Sequence, residues 1–350
     1  MRNHFAFSLA SIAAACSLSL PAAAQAQSGT AKKVPAAKTA AKPWTPPRTP
    51  DGKPDLQGVW NSATLTPLQR PANGPGAGKE FFTPEEAAQF TKQELARVNG
   101  DKLDGVGNYN EFWRDRGQLA PDLRTSMIFD PPDGRIPPLT PQAQKRIAEK
   151  RAAARGHDFD GPENRSVEER CISHRNAGPP MIPTNYNSNY QIVQSAGVVT
   201  LLSEEIHDVR IIPTDGRKHA PASVRMVNGD SIGHWEGNTL VVETTNFTDL
   251  TSYENTTPNL VLIERFTRTG PNSLMYEWTV SDPETFTKPW SARYPMFKPE
   301  GVHGDDVIFE YACHEGNYGL LDSLSGARAG EKAAAGKGGP PPAARAPREN

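Results

Sequence analysis

The run Leu260-Val261-Leu262-Ile263-Glu264-Arg265-Phe266-Thr267-Arg268-Thr269, the break Gly270-Pro271-Asn272 and the run Ser273-Leu274-Met275-Tyr276-Glu277-Trp278-Thr279-Val280 decide the fold class. Both runs are rich in branched and aromatic residues and alternate with a period of two, the pattern of strands with one buried face. The short break between them joins antiparallel strands only, because a parallel return needs a dozen residues or more. Just upstream, Thr239-Leu240-Val241-Val242-Glu243-Thr244-Thr245-Asn246-Phe247 has the same character. Three consecutive antiparallel neighbours are therefore expected.

The same pattern recurs outward at 190–194, 198–203, 206–212, 223–227, 232–235, 290–296 and 307–313. Turn residues separate the runs, among them Ala196-Gly197, Asp215-Gly216, Asn228-Gly229 and Gly237-Asn238. Residues 56–60, with Gly58-Val59-Trp60, supply one more strand. A set of about eight to ten such strands closes into a barrel or splits into a sandwich. No connection of Greek-key length lies between 239 and 280. The expected fold is mainly β, a calycin- or lipocalin-like antiparallel barrel, with a β-sandwich as the alternative.

Residues 51–183 are dense in proline and glycine and read as an irregular segment wrapping the 184–326 β body, the two making one β-rich domain over 51–326. Two short helices are predicted within it. Thr83-Pro84-Glu85-Glu86 is an N-cap, a proline at the first helical position and a capping-box acid, opening a helix to about residue 98. Thr140-Pro141 opens a second, basic helix to about residue 155.

The ends of the chain speak of export. Arg2, an apolar stretch over 5–20 and Ala24-Gln25-Ala26 form a signal peptide over 1–26 with an A-x-A cleavage site. An alternative reading of Ala13-Ala14-Ala15-Cys16 as a lipoprotein box would leave Cys16 lipidated, although the apolar run continues past it. Residues 27–50 and 327–350, built from Ala, Lys, Pro, Gly and Arg, are expected to be a disordered linker and tail. No later stretch is apolar for long enough to span a bilayer. The expected location is periplasmic or secreted.

The formal net charge of −2 hides an asymmetry. With the signal peptide, the linker (five basic residues) and the tail (net three positive) set aside, the core over 51–326 carries −11. Such a core excludes nucleic acid as a partner, because neutralising phosphates needs a basic face. The basic ends serve solubility or a weak association with anionic envelope surfaces. Cys171 and Cys313 remain after cleavage, and in an oxidising compartment a disulfide between them is the natural reading. Chain entropy assigns closure of so long a loop about 5 kcal/mol.

The motifs Thr49-Pro50-Asp51-Gly52-Lys53-Pro54-Asp55-Leu56-Gln57-Gly58-Val59-Trp60, Ile206-His207-Asp208-Val209-Arg210-Ile211-Ile212-Pro213, Trp235-Glu236-Gly237-Asn238-Thr239-Leu240-Val241-Val242-Glu243-Thr244-Thr245-Asn246-Phe247 and Tyr311-Ala312-Cys313-His314-Glu315-Gly316-Asn317-Tyr318-Gly319 stand out together with the 130–139 and 186–191 segments. In these the chain resembles a family of secreted bacterial β-rich proteins. The resemblance implies export and a single domain, and it carries over no catalytic residue.

Candidate chemistry rests on polar residues inside apolar runs. Glu243, Glu264, Glu277 and Glu310 interrupt strand patterns, and carboxylates are seldom buried unpaired. By alternation Glu243 shares a face with Val241 and Thr245, Glu310 with Ile308 and His314, and His207 with Val209 and Ile211. His207, Glu243, Glu310 and His314 are thus the candidate catalytic set, expected to meet in one lumen. The bland alternative places the glutamates outside, paired across strands with Arg265, Arg268 and Arg293. Asp208 and Arg210 face away from His207 and suit an ion pair or anion clamp. Tyr186, Asn187, Asn189 and Tyr190 suit a polar or aromatic ligand, and Glu315 and Tyr318 extend the Cys313 turn as further binding candidates.

There is no G-x-S-x-G elbow, nucleotide-binding glycine loop, H-E-x-x-H or C-x-x-C. His207, His234, His303 and His314 follow no ligand spacing, so neither a metal nor another cofactor is expected. The expected function is an exported lyase or hydrolase using His, Glu and Tyr acid–base chemistry on a carbohydrate or aromatic small molecule. The alternative is a binding protein that holds such a molecule, or a glycan, without changing it. Cleavage after Ala26 predicts that the exported protein starts at Gln27. Intact-mass measurement of the periplasmic form checks it, and a lipid adduct on Cys16 would show the other processing route.

Overall fold

The computed structural model describes residues 44–99, 111–250, 253–299 and 308–336. The signal peptide, the lipoprotein box, most of the linker and the end of the tail lie outside them.

The strands are β1 (Gly58–Asn61), β2 (Ile128–Asp130), β3 (Asn189–Ser195), β4 (Val198–Ser203), β5 (Val209–Pro213), β6 (Asp230–Glu236), β7 (Thr239–Thr245), β8 (Val261–Gly270), β9 (Ser273–Ser281) and β10 (Trp290–Phe297). They form one antiparallel sheet in the order β5-β4-β3-β1-β10-β9-β8-β7-β6, with β2 added against β10. Two meanders, β3 to β5 and β6 to β10, are thus joined through β1. The expected β7-β8-β9 neighbours pair antiparallel, β7 with residues 262–267 of β8 and β8 with nearly all of β9.

The sheet is not closed into the expected barrel. Its edge strands β5 and β6 lie against each other without a hydrogen-bonded ladder. Gly233 of β6 permits the approach: a Cβ there would sit 3.0 Å from Ile212 of β5 and 3.1 Å from Thr214. The bonding partners for closure are missing because the segment between β5 and β6 leaves the sheet. Residues 223–227, expected as a strand, contribute only an isolated bridge between Met226 and Phe247.

Alternation decides the core. Leu240, Val242 and Thr244 of β7 face inward with Leu262, Glu264 and Phe266 of β8, then Tyr276 and Trp278 of β9 and Ala292 and Tyr294 of β10. Glu264 is completely buried among them. Arg210 of β5 reaches across the interior to its two oxygens at 2.9 and 3.0 Å, and the Tyr276 hydroxyl donates to Oε1 at 2.8 Å. The Met181 N–H donates to that hydroxyl at 3.0 Å, and the Tyr294 hydroxyl donates to the Met181 carbonyl at 3.0 Å. Arg210, Glu264, Tyr276 and Tyr294 thus satisfy one another and the Met181 main chain, as a low-dielectric interior requires.

Both predicted helices form. The first, α1 (Pro84–Arg97), carries the Thr83/Glu86 capping box, and the second, α2 (Pro141–Ala154), is capped by Thr140. A third, α3 (Tyr318–Gly336), occupies the start of the stretch read from composition as a tail; its alanines and leucines favour helix over the few glycines. The run expected as a last strand is not one where it is described: residues 308–312 belong to no strand and 313–317 turn into α3. Cys313 in that turn is bonded to Cys171, with Cα atoms 5.8 Å apart. Among the described residues no helix is long and apolar enough to cross a membrane.

Glu264→Gln, which leaves Arg210 buried without a countercharge, is expected to cost about 3–5 kcal/mol of unfolding free energy in a urea titration. Replacing both partners, Arg210→Met with Glu264→Leu, should cost clearly less in the same measurement.

Candidate functional site

The sequence-derived catalytic set is not assembled by the fold. His207 lies in a one-turn 3-10 segment (Glu205–His207) ahead of β5, not on the strand, and is exposed. Glu310 and His314 are exposed on the segment leading to α3. Glu243 sits on the outer face of β7, where its Oε1 lies 3.1 Å from His219 Nε2, while His219 Nδ1 lies 2.8 Å from Asp230 Oδ2. Glu277, also outside, lies 3.9 Å from Arg293, as the cross-strand alternative expects.

The binding candidates divide. Tyr190 is core, its hydroxyl donating to the Asn176 carbonyl. Asn189 accepts from Asn61 at 2.8 Å and donates to Glu204 at 2.7 Å. Tyr186 and Asn187 offer main-chain carbonyls, to Thr184 and Asn176 respectively. Asp208 and Arg210 do not pair with each other: Arg210 turns inward to Glu264, and Asp208, lying before the strand begins, accepts from Asn228. Glu315 and Tyr318 are exposed.

Perturbed acid–base groups gather elsewhere. Residues 172–176 follow the bridged Cys171, and Glu204 and Glu205 follow β4. Between them lies Asn176, fully buried. Its Nδ2 donates to Thr184 Oγ1 at 3.2 Å, to the Asn187 carbonyl at 3.4 Å and to Glu205 Oε2 at 3.3 Å. That commitment turns Oδ1 toward His174 Nδ1, 2.7 Å away. An amide oxygen only accepts, so Nδ1 carries a ring proton, and in the neutral form of the ring the lone pair lies on Nε2. Nε2 lies 3.7 Å from Glu205 Oε1.

The C-terminal segment closes over this group. The Phe309 N–H bonds to Glu204 and Tyr311 bonds to Glu205. Cys313 is tied to Cys171, and the Asn317 amide donates to the Glu169 carbonyl at 2.7 Å. Burial pushes the Glu205 carboxyl above its ordinary range, although the His174 charge and the Asn176 and Tyr311 hydrogen bonds pull it back. Burial likewise raises Glu204, against its Asn189 hydrogen bonds, and raises Glu254, against the attraction of Arg175.

His174, Arg175 and Glu254 all line one cavity of about 340 Å³, together with Ser173, Asn228 and Tyr253 and an apolar wall that includes Val227 and Leu250. That volume suits a small ligand. A larger open groove of about 630 Å³ runs past Arg146 and Arg225, but both arginines there are already spent on main-chain carbonyls. Among the described residues no group of three or more His, Cys, Asp and Glu side chains is placed to hold a metal ion.

His174, Asn176, Glu205 and Glu254 escaped the sequence reading because none lies inside a regular strand. The available signal was the polar run Ser173-His174-Arg175-Asn176 just after a bridged cysteine. Compared with known protein families, curated proteins and solved structures, the chain matches none.

The raised carboxyls set a sign for pH dependence. Unfolded, Glu204, Glu205 and Glu254 release their protons near 4.5; folded, they hold them to higher pH, so the native state binds more protons. Their contribution is most favourable below about 4.5 and is lost as pH rises through the raised values. Thermal unfolding midpoints taken upward from that pH should fall less steeply in Glu205→Gln and Glu254→Gln than in the parent.

Proposed function

We propose that the chain is an exported acid–base enzyme, a lyase or hydrolase, and that it acts on a small carbohydrate or aromatic molecule held beside His174. The observation that carries this reading is His174 itself: Asn176 fixes its Nδ1 as the donor, so Nε2 is the basic nitrogen, on a cavity wall that also bears a carboxyl raised by burial. An imidazole with one nitrogen held as donor, beside a carboxyl that burial biases toward its neutral form, offers the base and the acid that acid–base catalysis needs.

In the proposed chemistry His174 Nε2 receives a proton from the substrate, and Glu205, 3.7 Å away, stabilises the imidazolium that forms. Glu254, biased toward its neutral form by burial, is the group able to give a proton to a departing oxygen. Asn176 acts as a positioning residue through His174. The Cys171–Cys313 bridge supports a site of this kind outside the cytosol, because such bridges persist in oxidising compartments.

A screen of small sugars, sugar acids and aromatic compounds by mass spectrometry, before and after incubation with the protein, finds the substrate as a changed mass. His174→Gln should then lower turnover by about a hundredfold or more with little change in thermal midpoint. Retention of a compound that is never changed, and is still held by His174→Gln with graded affinity, would instead make this a binding protein.

A further inference from the structure

We propose that the molecule taken by the His174 cavity is a small organic monoanion, a carboxylate on an oxygen-bearing ring, and that its carboxylate rests on Arg175. This rests on the acid–base reading above and adds the charge of the substrate to it.

Arg175 is exposed on the cavity wall, and among the described residues its guanidinium makes no hydrogen bond or ion pair with the protein. Several arginines elsewhere are committed to protein partners: Arg210 to Glu264, Arg165 to Glu169, Arg116 to Glu111, Arg146 and Arg225 to main-chain oxygens. The acid bearing most on Arg175 is Glu254, whose carboxyl burial drives toward the neutral form. A guanidinium offers a planar fork of donors and no acceptor, a match for the two oxygens of a carboxylate. Among the described residues Arg175 is the one Lys or Arg on the wall of this cavity, and in a core carrying −11 that suits a single negative charge and repels a polyanion.

A second observation lies on the inner side of Tyr253, another wall of the same cavity. The Tyr253 hydroxyl, Thr256 Oγ1, Trp278 Nε1 and Trp290 Nε1 are buried without good hydrogen-bond partners, and the two indoles are 1 % and 0 % exposed. Trp278 Nε1 faces the Tyr253 hydroxyl without reaching good geometry, and the Tyr253 and Trp290 rings lie 6.1 Å apart. Burial pushes the Tyr253 hydroxyl above the ordinary tyrosine range, so it remains a donor. Indole N–H groups only give, and a buried donor without an acceptor is costly. Of these groups Tyr253 lines the cavity, and a ring oxygen or hydroxyl of a ligand there is the acceptor its hydroxyl lacks.

The test is native mass spectrometry of the full-length mature protein with a library in which each small ring carboxylic acid is paired with its primary amide. The parent should retain at least one acid about tenfold better than its amide, a difference near 1.4 kcal/mol. Arg175→Gln should erase the preference and Arg175→Lys should keep part of it, which separates lost charge from lost fold. No acid preferred by the parent, or a preference that survives in Arg175→Gln, overturns the proposal. The two readings fail separately. If acids and amides are held alike while His174→Gln still abolishes turnover, the carboxylate site is wrong and the acid–base site stands. An acid preference lost in Arg175→Gln, with turnover indifferent to His174→Gln, supports the carboxylate site and removes the acid–base one.

Discussion

A carboxylate in the middle of an inward strand face has to be answered from inside the protein. Glu264 has no water to charge against, and its two oxygens are met by Arg210 from the far end of the sheet and by Tyr276 from the next strand. In the strand order, β5 and β8 are separated by β4, β3, β1, β10 and β9. A flat sheet would put them far beyond reach of one side chain, so the ion pair exists only because the sheet curls until its ends meet. The desolvation of both charges makes such a pair a poor source of net stability against an apolar substitute. Its effect is to make one curl, with Arg210 inside, far better than the others.

The same curl shapes the surroundings of the candidate site. Where the edges β5 and β6 come together without a ladder, the turn after β4 brings Glu204 and Glu205 beneath the 171–176 segment. The disulfide fixes that segment to residues 308–317, which contribute hydrogen bonds to both acids. Loops held by covalent and polar ties at several points can present side chains as steadily as a strand does. The acids beneath them carry the cost of that burial in raised proton affinity.

Most of the ordinary polar chemistry of the chain is structural by comparison. His219 between Asp230 and Glu243 ties the 214–229 segment to the outer face of β6 and β7, and Asn189 ties β1 to the acid at the end of β4. Residues of the right chemical type are therefore frequent along the chain. What distinguishes His174 and Arg175 is a cavity wall and, for Arg175, the absence of a protein partner among the described residues.

Period-two alternation, short turns and cap residues are local, and from them the sequence alone determined the strands from 239 to 297, the pairing of β7, β8 and β9 and both capped helices. The Cys171–Cys313 bond was legible too, because only one pairing was left once the signal peptide was set aside. Alternation says which residues share a face, but not which face is inside. Glu243 and Glu264 interrupt equally apolar runs, yet one is half exposed outside and the other wholly buried, since that depends on where β5 arrives. His207 and Glu310 were assigned strand faces, but β5 begins only at Val209 and residues 308–312 belong to no strand. The site at His174 was decided by the tertiary structure alone, because Asn176, Glu205 and Glu254 are far apart in the chain and lack any shared period. Their meeting, and the burial that shifts their protons, arise only when the sheet curls and the disulfide draws the last segment over them.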